Sequence, residues 1–194
     1  MIKTLLLGVT SFAGTNIDDL FINTLLFAGA KNKADQRSIL LGKYLGIGIL
    51  VLLSILGASG LRLLAPQYIG MLGLVPLALG TKEIISALRS KDIDADSKPD
   101  AKSSNLLLNT ALITVANGAD NLGIYIPLFA SFAPWQTALT LLVFSVLIWV
   151  WCYLGKRLAS LPALKDALAR YKQTLVPIVY IALGVYILAK NFHL

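Results

Sequence analysis

The chain contains one cysteine, Cys152, and one histidine, His193. A single thiol excludes a disulfide framework and any thiol redox chemistry that needs a cysteine pair. A single histidine excludes a metal site built from imidazoles. Charge is scarce as well: 14% of the 194 residues are Asp, Glu, Lys or Arg, 57% are hydrophobic, and mean hydropathy is +0.75. Soluble domains carry about a quarter charged residues, so a soluble domain is excluded.

The apolar residues are gathered in runs at 2–30, 39–64, 68–88, 106–130, 137–154 and 175–188. Most reach the roughly 20 residues a helix needs to cross hydrocarbon; the last is the shortest, and Pro177 suits a first helical turn there. Runs this rich in Leu, Ile, Val and Ala argue for helices over the short alternating segments of a β-barrel. The expected fold is an all-α membrane protein with six transmembrane helices. Asp18 and Asp19 interrupt the first run where a signal peptide needs an unbroken apolar core, so cleavage after Ala28-Gly29-Ala30 is not expected.

Positive charge sets the expected orientation, because short loops rich in Lys and Arg stay cytoplasmic. The first, third and fifth connections take Lys31, Lys33, Arg37, Lys43, Lys82, Arg89, Lys91, Lys98, Lys102, Lys156, Arg157, Lys165, Arg170 and Lys172; the other side takes Lys3, Arg62 and Lys190. A multi-pass protein of the inner (plasma) membrane with both termini outside follows. The net charge of +7 is then a topology signal with some attraction to anionic lipid, and calls for no nucleic-acid partner.

Against this apolar background stand two acidic clusters, Asn16-Ile17-Asp18-Asp19-Leu20 and Asn117-Gly118-Ala119-Asp120-Asn121-Leu122. One offset of 102 residues (120 minus 18) aligns Asp18 with Asp120, Asp19 with Asn121 and Phe27-Ala28 with Phe129-Ala130. With three spans per half, the second half enters the membrane from the opposite side, which is the inverted-repeat plan of many transporters. The division is 1–88 for the first three-helix repeat, 89–105 for a cytoplasmic linker and 106–194 for the second repeat. Asp92, Asp94 and Asp96 in that linker imitate the start of a calcium loop, but Ser97 and Ser103 stand where the loop needs Gly and Glu, so a solvated linker is expected. The stretch 161–171 reads as an amphipathic segment on the inner surface.

Ionisable side chains within a spanning helix cost about 2.5–3.5 kcal/mol each and mark pathways for ions or substrates. Asn16, Asp18, Asp19, Asn117, Asp120 and Asn121 are the expected binding residues, with Thr15, Asn23, Thr114, Lys82 and Glu83 as supporting or gating groups. Carboxylate and amide oxygens suit a hard or borderline divalent cation. Three carboxylates in one dry site cannot all stay ionised without a cation, so an empty site takes up protons and a filled one releases them. Small residues beside each cluster, Ala13-Gly14 and Gly118-Ala119, let the helices unwind or approach closely. Pro127 has no counterpart in the first half, where Leu25 aligns, and is expected to bend one helix only. Lys82 and Glu83 otherwise read as an interfacial ion pair, and Cys152 as a packed apolar residue or a soft ligand on the ion's path.

The string Thr114-Val115-Ala116-Asn117-Gly118-Ala119-Asp120-Asn121-Leu122-Gly123, followed by Ile126-Pro127, resembles the cadmium resistance transporter family of the lysine exporter superfamily. Gly42-Lys43-Tyr44-Leu45-Gly46 and Gly73-Leu74-Val75-Pro76 with Gly80 and Lys82 are similar to that family's first-half motifs. The resemblance implies a bacterial permease that exports divalent cations, with Asp18 and Asp120 at the family's acidic positions. Members often carry Cys just before the Gly of Gly-Ala-Asp-Asn, whereas this chain has Asn117, a change that favours oxygen-loving ions such as manganese over cadmium. The expected function is export of a divalent metal cation in exchange for protons, with no cofactor, no enzymatic activity and a homodimer as one possible assembly. The alternatives are an amino-acid or organic-cation exporter of the same superfamily and a non-transporting membrane scaffold.

Overall fold

The computed structural model describes residues 1–61, 71, 74–89, 105–160, 178 and 180–189, and these are helical apart from short connections. The helices are α1 (Ile2–Thr15), α2 (Ile17–Gly29), α3 (Lys33–Leu61), α4 (Leu74–Arg89), α5 (Leu106–Ala116), α6 (Ala119–Ser131), α7 (Pro134–Ala159) and α8 (Tyr180–Ala189). The linker core 90–104 and the stretch 161–171, with the expectations placed on them, lie outside the described residues; so do the side chains of Lys82 and Glu83 on α4.

Among the described residues two helices, α3 and α7, are long and apolar enough to cross a membrane, and α1 with α2 makes a third span if that pair, bent by 58°, is taken as one. At about 1.5 Å per residue, the 29 residues of α3 extend about 43 Å, more than a hydrocarbon core of about 30 Å. Large apolar side chains cover the outside, and several polar side chains are buried among an apolar core. Leu41, Leu45, Leu52 and Leu56 of α3 and Leu142, Val146 and Trp149 of α7 face outward, while Asn16, Asn23, Lys43, Ser54, Thr110, Thr114 and Thr140 are buried. An apolar exterior with polar groups gathered inside is what a bilayer selects, because lipid tails welcome Leu and polar groups must find partners inside.

The first and fourth apolar runs are both broken helices. α1 gives way to α2 at Asn16, and α5 to α6 at Asn117-Gly118, positions that the offset of the acidic clusters makes equivalent. Pro127 does not make a break; α6 stays helical through it.

Small residues set how closely the helices approach. α3 packs on α5 and α6, α2 and α1 on α7, and α4 on α6. A Cβ on Gly42 would lie 2.5 Å from the Leu107 carbonyl oxygen, and one on Gly46 would lie 2.6 Å from Thr114 Cβ. These two glycines, one turn apart, let α3 rest directly on the backbone of α5. Gly155 of α7 does the same against Asn23 of α2. An aromatic cluster joins α1, α6 and α7, with ring centroids of Phe12 and Phe144 5.2 Å apart and those of Tyr125 and Phe144 4.8 Å apart.

Lys43 was assigned by its charge to the first cytoplasmic connection, and the structure corrects this. It lies inside α3, is buried, and belongs to the interior polar set.

Gly46→Leu is expected to push α3 off α5 and destabilise the fold by about 1–3 kcal/mol, read as a lower melting temperature in detergent. An unchanged melting temperature would mean the α3–α5 contact does not hold the bundle together.

Candidate functional site

The two helix breaks open onto one cavity of about 320 Å³, lined by Thr15, Asn16, Asp18, Asp19, Leu79, Thr114, Asn117, Asp120, Asn121 and Tyr180. All six expected binding residues are therefore brought together, with Thr15 and Thr114 beside them. Asn23 is not: it stands one turn beyond Asp19 on the same unbroken helix α2, away from the cavity, and packs beneath Gly155.

Each break places a carboxylate in the first turn of the following helix, Asp18 and Asp19 on α2 and Asp120 on α6. The positive end of a helix dipole favours anionic groups there, while the carbonyl ends of the preceding helices suit a cation. Asn16 is held firmly in its gap. Its Nδ2 donates to the Phe12 carbonyl, to Thr15 Oγ1 and to Tyr125 Oη, each at 2.9 Å, and its backbone carbonyl accepts the Trp151 indole N–H at 2.8 Å. Among the described residues three buried amide oxygens have no hydrogen-bond partner: Asn23 Oδ1, away from this cavity, and, lining it, Asn16 Oδ1 and Asn121 Oδ1. Buried amide oxygens are seldom left unpaired, and these two stand on facing breaks of one cavity.

The three carboxylates do not form a ready-made cluster. Among the described residues no three His, Cys, Asp or Glu side chains converge tightly enough to hold a metal. Asp19 instead accepts from Lys43 Nζ at 2.7 Å, a pair in which Lys43 is 1% exposed. Asp120 accepts the Tyr180 hydroxyl at 2.7 Å through Oδ2 and the Asn121 backbone N–H at 3.0 Å through Oδ1. Asp18 is exposed to the cavity and close enough to Asp120 for their charges to interact. Among the described residues, three carboxylates and one ammonium leave a formal charge of −2 (three minus one).

Lys43, Tyr180, Tyr125 and Trp151 were missed from the sequence. Lys43 carried a usable signal, since it sits within the apolar run 39–64 between Gly42 and Gly46; the three aromatics look like ordinary core residues until their polar atoms find partners. Cys152 is buried on α7 and does not line this cavity.

Fold and cavity together define a helical membrane protein with a polar chamber between two interrupted helices. Residues 12–194 match the family model described as Cadmium resistance transporter, and the chain belongs to that family of transporters. No curated protein and no solved structure matches the chain.

Lys43→Met is expected to destabilise the protein by roughly 3–5 kcal/mol, because it strands Asp19 as a buried unpaired charge. Adding Asp19→Leu should recover most of that loss in detergent melting experiments. If Lys43→Met alone melts like the wild type, the pair is not a structural element of the site.

Proposed function

We propose that this protein exports a divalent metal cation from the cytoplasm in exchange for protons, binding it in the cavity between the two helix breaks. The observation that carries this reading is the pair of unpartnered amide oxygens, Asn16 Oδ1 and Asn121 Oδ1, buried beside Asp18 and Asp120. Two neutral oxygens and two carboxylates make a hard donor set. The formal −2 of the chamber's described residues is the charge a divalent ion cancels.

Size and lining support a cation over an organic substrate. At about 30 Å³ per water, six hydrating waters occupy about 180 Å³, so a hydrated ion fits within about 320 Å³. Among the described residues Leu79 is the one aliphatic side chain in the lining, with the Tyr180 ring beside it, and the other eight are Thr, Asn or Asp, which offer an ion oxygen donors. The donors are oxygens throughout, with Asn117 rather than a thiol before Gly118, so the reading favours manganese or a similarly oxygen-loving ion alongside cadmium.

Six spans arranged as two inverted repeats, with both termini outside, complete the reading. The equivalent positions of the two breaks and the Lys/Arg bias support it. In a Cys152→Ser background, Asn32→Cys should label from the cytoplasmic side and Ala133→Cys from the outside; labelling from one common side would refute the orientation.

Metal and proton compete for the same carboxylate oxygens, so metal affinity should fall as pH is lowered. In proteoliposomes carrying an internal pH dye, metal movement should be accompanied by proton counter-movement. Asp18→Asn and Asp120→Asn should each abolish flux while the protein remains folded. Normal flux in either variant would remove that carboxylate from the site; binding without flux in the wild type would favour the scaffold reading.

A further inference from the structure

A second cavity, of about 310 Å³, lies where the start of α3 meets the end of α7, and three cations line it: Lys33, Arg37 and Lys156. Lys33 opens α3, Arg37 follows one turn later, and Lys156 stands in the last turn of α7, so the cavity lies at one end of both long apolar helices. None of the three has a carboxylate partner among the described residues. The one acidic residue within the first turn of α3, Asp35, is engaged with the Lys31 backbone N–H at 2.8 Å. Three like charges around one cavity repel one another, and a divalent cation would be turned away. An anion would be held.

The walls indicate what kind of anion. Trp149 and Tyr153 flank the cavity with rings stacked at 5.7 Å, and both are largely exposed. With Leu142 and Val146, also exposed, they follow one another at intervals of four, three and four residues, which makes a continuous outward stripe along α7 leading away from the cations. A phosphate among Lys33, Arg37 and Lys156 would therefore continue into hydrocarbon lying along that stripe. Aromatic rings are at home at this boundary between headgroup and acyl chain.

We propose that this cavity is a binding site for the headgroup of an anionic phospholipid, with its phosphate held by Lys33, Arg37 and Lys156 and an acyl chain lying on Trp149, Val146 and Leu142. Basic pockets between helices at a membrane face bind such headgroups. The site is independent of which ion crosses the central chamber; it rests only on the membrane placement of α3 and α7. A zwitterionic lipid offers the same phosphate but brings its own ammonium group, which the three cations disfavour.

The protein carries its own reporter, because Cys152, the sole thiol, lines this cavity and is buried. The full chain is reconstituted in nanodiscs of phosphatidylcholine alone or with added phosphatidylglycerol, and Cys152 is modified with N-ethylmaleimide, an uncharged reagent that the surface potential does not concentrate or repel. Phosphatidylglycerol should slow modification several-fold, and native mass spectrometry should show that lipid retained in preference to phosphatidylcholine. The combined variant Lys33→Gln, Arg37→Gln, Lys156→Gln should lose both effects; its melting temperature checks the fold, and Lys156→Gln alone should show partial loss if the triple variant does not fold. Inorganic phosphate added to phosphatidylcholine discs should protect little. Equal modification rates in the two lipids, full protection by inorganic phosphate alone, or unchanged lipid retention in the variants would each overturn the proposal.

Discussion

A helix that stops within hydrocarbon leaves amides and carbonyls that lipid cannot satisfy, so an interruption at that depth survives only when the protein encloses it. This chain interrupts two helices, at Asn16 and at Asn117-Gly118, and much of the packing serves to enclose them. Trp151 reaches from α7 to the Asn16 carbonyl, and Tyr125 reaches from α6 to Thr15 and Asn16. α3 covers the other break: Gly46 lets it settle on Thr114, and Leu50 packs against Gly118 so tightly that a Cβ there would collide with it. The small residues of α3 are thus a consequence of what α3 must cover.

Enclosure concentrates polarity, and polarity in a dry interior must be balanced. Lys43 neutralises Asp19, Tyr180 holds one oxygen of Asp120, and the amide nitrogen of Asn16 is saturated. Among the described residues, what lines the chamber without a hydrogen-bond partner is acceptor capacity, the amide oxygens of Asn16 and Asn121, set beside the carboxylates of Asp18 and Asp120. A chamber in that condition is complementary to a cation. The membership of a transporter family gives the complementarity its use.

The acidic clusters were legible in the sequence because charge is so costly in an apolar run that its presence is informative. Their meeting in one cavity follows from the same reasoning, and so does the presence of small residues at the breaks. Lys43 was misread because counting basic residues for orientation treats lysine as a loop signal, although its place inside the run 39–64 argued otherwise. The ion pair depends on a register between α2 and α3 that only packing reveals. Asn23 shares a face of α2 with Asp19, but one turn further along that face meets Gly155 of α7 rather than the cavity, a packing fact that helical spacing does not carry. Tyr180 and Tyr125 gave no sign at all: a tyrosine's hydroxyl partner is a tertiary fact.

The central claim is that the ion is held by oxygens at the two breaks. The protein's only thiol, Cys152, lies in the other cavity, so X-ray absorption at the zinc edge of the zinc-loaded wild-type protein separates the possibilities. The expected result is a shell of light donors at about 2.0–2.2 Å with no sulfur contribution. A sulfur scatterer near about 2.3 Å would place the ion at Cys152, and the assignment of the chamber as the cation site would be wrong.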